Sequence, residues 1–240
     1  MRLARRRWMA GAAALAPVLA TFQAAAQVAD LALMCDLTLG EALRHAAEAY
    51  RGIAGVRIHI FPTAPGLIVP MLTRDVRIDI VVTRLPTLDL ADKAGVLAAG
   101  TKSGTWSTPL VVAEAMGAPG SAAAGTFAVS ELPAASGIDA RAALAHLGID
   151  PARVVSAIDT TEVAFLLTTG GARSGLLYLT DAKAEPRLRV VQTLTDPPPA
   201  MFGIALKNGA SRANPSAFVA FLGMPATKAL MGNQGLAFVA

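Results

Sequence analysis

The sequence alternates short apolar segments with residues that begin helices, and this alternation restricts the fold more than any other feature. At four places an apolar segment is followed by small polar residues suited to a helix start, namely Thr38, Thr63, Ser136 and the pair Asp159 and Thr160. The side chains of such residues accept hydrogen bonds from the unpaired N–H groups of a first helical turn. Strands that alternate with helices are typical of an α/β fold with mixed, mostly parallel sheets flanked by helices.

The segment from Asp159 to Ala182 shows this pattern most clearly. Asp159 and Glu162 have the spacing of a capping box, an apolar helix body follows, and a pair of glycines ends the helix. Residues 175–179 then form an apolar segment typical of a buried strand. We expect Tyr178 to bring its hydroxyl close to the helix start, where unpaired N–H groups and the helix dipole attract an anion. Taken alone, Tyr178 is equally well explained as a half-buried core residue.

An amphipathic helix is also predicted after the first strand, which covers residues 31–34. Thr38 and Glu41 have the spacing of a capping box. Apolar residues then recur at helical spacing and predict one buried face, whereas charged residues occupy the opposite face. The apolar face consists of Ala42, Leu43, Ala46, Ala47 and Tyr50.

The first 26 residues are typical of an export signal. They contain four arginines and no acidic residue, then an apolar stretch, and finally three alanines at 24–26 that form a cleavage site. Arg5 and Arg6 precede bulky apolar residues, as in a twin-arginine signal, although a general secretory signal would share the charge and the apolar core. We therefore expect a periplasmic protein that is cleaved near Ala26. The apolar stretch is short for an uncleaved membrane anchor.

The rest of the chain is neutral and carries no recognisable metal or redox centre. It has 17 Lys and Arg residues and 17 Asp and Glu residues, so the formal charge of +4 comes from the leader. A neutral chain gives no basis for nucleic-acid binding. Cys35 is the only cysteine, which excludes an intrachain disulfide, and the three histidines lack metal-ligand spacing. We expect no cofactor and no bound metal cation.

Three of these segments resemble the periplasmic molybdate-binding proteins of ABC importers, which are type II solute-binding proteins. Residues 175–182 match the family pattern G-hydrophobic-hydrophobic-Y-x-x-D-A, and Tyr178 takes the position of the family's tyrosine. Thr38 stands where the family's A-A-A-S-L-x-D-A-L segment has an anion-binding serine. Thr160 matches the residue whose backbone binds the anion at a helix start, and Ser136 lies in the counterpart of a P-A-G-x-Y-A loop.

This resemblance implies a two-lobed fold with a ligand cleft between the lobes. Residues 27–108 and 196–240 would form lobe 1, and residues 109–195 would form lobe 2, with crossovers near Thr108 and at Asp196–Pro199. It also implies a monomeric binding protein without catalytic residues, which delivers its ligand to an ABC permease and ATPase in the inner membrane. The implied ligand is a tetrahedral oxyanion such as molybdate or tungstate. The expected ligand-binding residues are Thr38, Thr63, Ser136, Thr160 and Tyr178.

Three positions depart from the family pattern. Pro65 aligns with a second ligand serine and offers neither a hydroxyl nor an N–H group, so Thr63 would have to reach in as a substitute. Cys35 and Asp36 replace small alanines, and an ionised Asp36 near the cleft would repel a dianion. Arg84 stands where the family usually has alanine, and it could face either the cleft or solvent.

These departures leave several functions open. If Arg84 points into the cleft, it could pair with a carboxylate, so that the ligand would be a small organic acid. A subunit that senses the same ligand for a membrane receptor is a further alternative. An exported hydrolase is the alternative from another class, but the sequence has no G-x-S-x-G nucleophile elbow and nothing that links a histidine to a nucleophile.

Overall fold

The structure, a computed structural model, describes residues 30–74, 76–117, 125–131, 135–209 and 214–239, and the predicted export signal lies outside these ranges. Among the described helices, none is long and apolar enough to span a membrane. The described strands are β1 (Leu31–Asp36), β2 (Ile58–Thr63), β3 (Ile80–Arg84), β4 (Ser103–Thr108), β5 (Leu110–Ala115), β6 (Phe127–Ser130), β7 (Val154–Ala157), β8 (Ser174–Tyr178), β9 (Leu188–Thr193), β10 (Ala200–Leu206) and β11 (Ala237–Val239). The described helices are α1 (Gly40–Ala54), α2 (Pro65–Leu72), α3 (Leu85–Lys93), α4 (Ala135–Leu147), α5 (Thr160–Thr169), α6 (Leu179–Ala184), α7 (Pro215–Leu222) and α8 (Pro225–Asn233), with 3₁₀ turns at Leu37–Leu39 and Pro151–Arg153.

The strands form two mixed sheets, each flanked by helices. The first sheet has the order β11-β4-β10-β3-β1-β2, and the second has the order β7-β6-β8-β5-β9. The chain leaves the first sheet at Thr108 and enters the second at Leu110; it leaves the second at Thr193 and returns at Ala200. The predicted α/β class with two lobes is confirmed.

The sheets contain more antiparallel pairing than the sequence pattern indicated. β1 pairs in parallel with β2 and β3, and β6 pairs in parallel with β7 and β8. β10 is antiparallel to both β3 and β4, and β5 is antiparallel to both β8 and β9. A parallel neighbour requires a returning crossover helix. β5 and β10 instead arrive directly from the other sheet, and each runs antiparallel to both of its neighbours.

The cores follow from the period-two alternation of the central strands. In the first sheet, Leu33 and Ile80 face the largest cluster of buried side chains, while Met34 and Val81 face a separate cluster beneath α2 and α3. All five residues of the predicted apolar face of α1 are buried in the largest cluster. That cluster includes residues from both sheets, so apolar packing continues from one lobe to the other.

The two capping boxes predicted from the sequence have different outcomes. At α5 the prediction is confirmed: the Asp159 side chain accepts hydrogen bonds from the N–H groups of Thr161 and Glu162, at 2.9 and 3.0 Å. At α1 the capping box is wrong, because the helix begins at Gly40 and no side chain caps it. Thr38 instead lies in the preceding 3₁₀ turn, whose cap is Asp36.

Candidate functional site

A cavity of about 770 Å³ opens where strands of both sheets end. The first sheet contributes the 3₁₀ turn after β1, the first turns of α2 and the end of β3. The second sheet contributes the first turns of α4 and α5 and the end of β8. Ligands of α/β proteins bind at these carboxyl ends of strands, because helix N-termini and their free N–H groups converge there. The cavity therefore has the location and the size of a small-molecule site.

Four of the five predicted ligand-binding residues line this cavity, namely Thr38, Ser136, Thr160 and Tyr178. They come from both sheets and lie up to 140 residues apart in the sequence. Thr63 is outside the lining, and its hydroxyl donates to the carbonyl of Phe61 at 3.1 Å. This geometry gives no support to Thr63 as the substitute for the donors that Pro65 lacks.

A polar cluster joins the two lobes at one end of the cavity. Arg84 lines the cavity, and its Nη2 donates to Oδ2 of Asp139 at 2.9 Å, while its Nη1 donates to the Tyr178 hydroxyl at 3.1 Å. The Tyr178 hydroxyl in turn donates to the same Asp139 oxygen at 2.6 Å. The Arg84 and Asp139 side chains are 17% and 18% exposed, so a charged partner can still reach them. Arg84 thus faces the cleft, the orientation that the sequence left open.

Burial and the nearby carboxylate keep Tyr178 protonated. Its ring is buried and forms part of the core, while its hydroxyl reaches the cavity. Desolvation raises the pKa of Tyr178 well above its usual range, and the negative charge of Asp139 adds to that shift. Tyr178 therefore acts as a neutral hydrogen-bond donor at any physiological pH. Tyr178 lies at the end of β8 beside the cavity, and its proton is donated to Asp139.

The hydroxyls of Thr38 and Thr160 are directed at a buried carboxyl group rather than at open space. Oγ1 of Thr38 donates to Oδ2 of Asp181 at 2.7 Å, and Thr160 also hydrogen-bonds to this carboxyl. Burial raises the pKa of Asp181 to about 6, against the lowering effect of these hydrogen bonds. When Asp181 is ionised, the single proton of the Thr38 hydroxyl is used within the protein. A ligand would then meet only the lone pairs of that hydroxyl.

Asp36 adds a second acidic group to the lining. The side chain is buried, and it accepts a hydrogen bond from the N–H group of Thr38 at 3.4 Å. Desolvation raises the pKa of Asp36 to about 7, although the positive charge of Arg84 acts in the opposite direction. The carboxyl is therefore partly protonated near neutral pH. Its ionised form would repel an anionic ligand, as expected from the sequence.

The helix starts around the cavity differ in how many donors they leave free. Asp159 occupies two N–H groups of α5 with its own carboxylate. No side chain caps α2, whose first residue is Pro65, and Gly66 and Leu67 beside it line the cavity. Proline at a first helical position has no N–H group to lose. The α2 start therefore attracts an anion through its dipole, but Pro65 itself supplies no donor.

Much of the cavity wall is apolar and accessible to solvent. Leu67 and Leu90 contribute to it from the first lobe, with 57% and 58% of their surface exposed. Ile138 and Ile158 contribute from the second lobe, with 60% and 79% exposed. Large apolar side chains left in water on both sides of one cavity are typical of a surface that becomes covered by a ligand or a partner.

The sequence reasoning missed the role of Asp139. Asp139 lies three residues after Ser136, which is the spacing of a helix cap. In the structure both residues belong to the first turns of α4, where a separation of three places them on one helical face. The same spacing could have indicated that Asp139 accompanies Ser136 toward the cleft. Its partners Arg84 and Tyr178 are 55 and 39 residues away, and no local pattern identifies them.

Comparisons with solved structures identify several proteins whose fold is similar to that of this chain. The chain is similar to the substrate-binding domain of a putative molybdenum ABC transporter from Clostridium difficile, with 18% identity, 88% of this chain and 100% of that chain covered, and a TM-score of 0.71. It is similar to the periplasmic molybdate-binding protein of Azotobacter vinelandii, with 16% identity, coverage of 88% and 99%, and a TM-score of 0.71. It is also similar to L-phospholactate-bound PEB3, a Campylobacter jejuni protein, with 15% identity, coverage of 87% and 99%, and a TM-score of 0.68. No curated protein sequence matches the chain.

A sequence model of one family covers nearly all of the described chain. The family is described as bacterial extracellular solute-binding protein, and the match spans residues 31–237. This range includes every strand of both sheets except the end of β11, and it includes every residue that lines the cavity. The chain therefore belongs to the bacterial extracellular solute-binding protein family.

Proposed function

We propose that this chain is the solute-binding component of an ABC importer, which captures a small solute outside the cytoplasm and passes it to a membrane permease. The observation that carries this proposal is the cavity between the two lobes, because residues from both lobes meet around it at the carboxyl ends of strands. The family membership supports a binding role rather than an enzymatic one. We also propose that the lobes divide at the two chain crossings, between Thr108 and Leu110 and between Thr193 and Ala200.

The ligand is proposed to carry an anionic group that binds near Arg84 and Tyr178. Arg84 can hold a carboxylate or an oxyanion through charge-assisted hydrogen bonds. The neutral Tyr178 hydroxyl beside it donates to Asp139 in the structure and can donate to the ligand when the ligand takes the place of that carboxylate. A tetrahedral oxyanion such as molybdate or tungstate is the first candidate. It is supported by the sequence motifs around Thr38 and Tyr178 and by the molybdate-binding protein among the structural neighbours.

A small organic carboxylate is the second candidate, and the position of Arg84 favours it. A bare dianion would lie close to Asp36 and Asp139, and like charges at such short range disfavour each other by several kcal/mol in a partly buried site, roughly 4 kcal/mol at ~4 Å. A monocarboxylate carries less charge than a dianion, and an organic body can also cover the apolar walls. A bound organic anion, L-phospholactate, in one structural neighbour gives this candidate additional support.

Calorimetry of the protein without its leader against molybdate, tungstate, sulfate and small carboxylates would test the function and separate these candidates. We expect saturable one-to-one binding of one class, and loss of that binding in Arg84→Gln. An Asp89→Asn variant is a suitable control, because Asp89 pairs with Lys102 at the surface and Lys102 keeps its second partner Asp92. Absence of binding for every oxyanion and carboxylate would contradict both of these candidates.

The export route is proposed from the N-terminal sequence. Changing Arg5 and Arg6 to lysine keeps the positive charge but removes the arginine pair that a twin-arginine translocase requires. We expect the uncleaved precursor to accumulate in the cytoplasm, as followed by the size of the protein in fractionated cells. Normal processing of this variant would instead indicate the general secretory route.

A further inference from the structure

The cation that lines the cavity is already paired. Among the described lining residues Arg84 is the one basic side chain, and it donates to Asp139. An incoming anion that binds Nη2 of Arg84 and the Tyr178 proton therefore displaces the Asp139 carboxylate. Asp139 would then remain beside the new anion, partly buried and without its ion-pair partner, which is an unfavourable state for a carboxylate.

The remaining charged groups of the lining are acidic. Asp36 and Asp159 both face the cavity, and Asp159 is held by the N–H groups that start α5. In the described lining, acidic groups thus outnumber basic ones even before Asp139 is counted. A ligand that brings only negative charge makes this imbalance worse. A ligand that carries a positive group as well as an anionic group reduces this charge imbalance.

The apolar walls set a second requirement. Leu67 and Leu90 on one lobe, and Ile138 and Ile158 on the other, leave most of their surface in water. A four-oxygen anion is too small to cover side chains on both sides of a cavity of about 770 Å³. An organic ligand with an apolar body would remove these side chains from water, and that burial favours binding.

We propose that the ligand is a zwitterion with an apolar body, of the class of the apolar amino acids; this proposal rests on the solute-binding function proposed above. The ligand carboxylate takes the place of Asp139 on Arg84 and Tyr178. The ligand ammonium binds the Asp139 carboxylate that is released, so one internal ion pair is exchanged for two between protein and ligand. The apolar side chain of the ligand packs between Leu90 and Ile138.

Matched probes separate the two charges of the ligand. L-Leucine and L-phenylalanine carry both charges; 4-methylpentanoate and 3-phenylpropionate lack the ammonium, while 3-methylbutylamine and 2-phenylethylamine lack the carboxylate. In calorimetry at neutral pH we expect at least one amino acid to bind ten times or more tightly than both of its analogues. Equal or tighter binding of an acid or amine analogue, or binding of molybdate and tungstate alone, would overturn the zwitterion proposal and leave the solute-binding function standing. No binding by any probe or oxyanion would contradict that function itself.

A variant of Asp139 tests the pairing directly. Asp139→Asn removes the partner of the ammonium but keeps a similar shape beside Arg84, so we expect amino-acid affinity to fall at least tenfold. Affinity for the matching carboxylate should stay equal or rise, because a neutral amide competes less strongly for Arg84 than a carboxylate does. The Asp89→Asn variant should change neither affinity. A parallel loss for the amino acid and the carboxylate would show that Asp139 only orders Arg84, and it would overturn the proposal.

Discussion

Asp36 is a carboxyl group whose ionisation the fold opposes. Its pKa rises from the usual 3.8 to about 7 because the side chain is desolvated. Between these two values the unfolded chain loses its proton while the folded protein keeps it, so folded-state stability falls as the pH rises from about 4 to about 7. A shift of this size corresponds to roughly 4 kcal/mol once Asp36 is fully ionised.

We therefore predict that Asp36→Asn stabilises the protein at pH 8, by about 2–4 kcal/mol, and has little effect at pH 4. The amide keeps an acceptor for the N–H group of Thr38 but carries no charge. Urea unfolding at several pH values measures the free energy of unfolding of both proteins. The difference between the two values cancels the contributions of the other titrating groups, which both proteins share. A difference between variant and parent that stays constant from pH 4 to pH 8 would contradict the proposed origin of the pKa shift.

Tyr178 contributes packing through its ring and polarity through its hydroxyl. We predict that Tyr178→Phe weakens ligand binding by about 1–3 kcal/mol, because the ligand anion would lose the hydrogen bond that this hydroxyl donates to Asp139 in the structure. The fold should persist, because the buried ring is retained. Calorimetry checks the affinity and circular dichroism checks the fold. Tyr50→Phe is the matched control, because Tyr50 packs against Phe218 and Phe221 away from the cavity. Equal affinities for Tyr178→Phe and the parent would show that the Tyr178 hydroxyl does not contribute to ligand binding.

At the scale of elements, α5 owes its start to a single side chain. The Asp159 carboxylate satisfies two N–H groups of the first turn, and Gly170 ends the helix in a left-handed conformation. We predict that Asp159→Ala lowers the free energy of unfolding by about 0.5–2 kcal/mol. Asp159→Asn should retain most of the stability, because an asparagine oxygen caps almost as well. Urea unfolding at neutral pH compares the three proteins. Equal losses in both variants would indicate that charge, rather than capping, stabilises α5.

The helices that could be predicted are those with local signals. α1 has an apolar face that repeats at helical spacing, and α5 has a cap at one end and glycine at the other. α6 was missed because Thr180 and Asp181 look like the polar end of a strand, and six residues are too few to show a periodic face. α3 was missed because its start, Leu85 and Pro86, carries no capping side chain. Both helices are held in place by tertiary contacts instead.

In the candidate site, too, local signals in the sequence predict some features, and contacts between distant segments determine the others. The positions of Thr38, Thr160 and Tyr178 around the cavity could be predicted, because each follows a strand end and matches a family motif. The direction of their hydroxyls could not, because the Thr38 hydroxyl donates to Asp181, 143 residues away. The pairing of Arg84 with Asp139 depends in the same way on how the two lobes face each other. Spacing within one segment carries no information about such contacts.

At the scale of the whole molecule, polar contacts between the lobes accompany the continuous apolar core. Thr38 on the first lobe donates to Asp181 on the second, and Arg84 on the first lobe pairs with Asp139 on the second. The chain connections near Pro109 and at residues 194–199 are the covalent links between the two sheets. For the lobes to rotate apart, these polar contacts must break and the part of the apolar cluster shared by both lobes must separate. A hinge at the two connections would leave each sheet unchanged.

We predict that the ligand-free protein samples more open arrangements in solution and that ligand binding closes the lobes. Small-angle scattering should give a larger radius of gyration without ligand, and at saturation a value close to that of a compact chain of this length, roughly 17 Å. Asp139→Asn removes one interlobe ion pair and should further increase the radius of gyration of the ligand-free protein. This variant also serves as a control, because it shows whether the measurement can detect opening. If the parent keeps one radius with and without ligand while this variant expands, the lobes are already closed before the ligand binds. Ligand would then have to enter through local movements at the cavity mouth, and the hinge would have no role in capture.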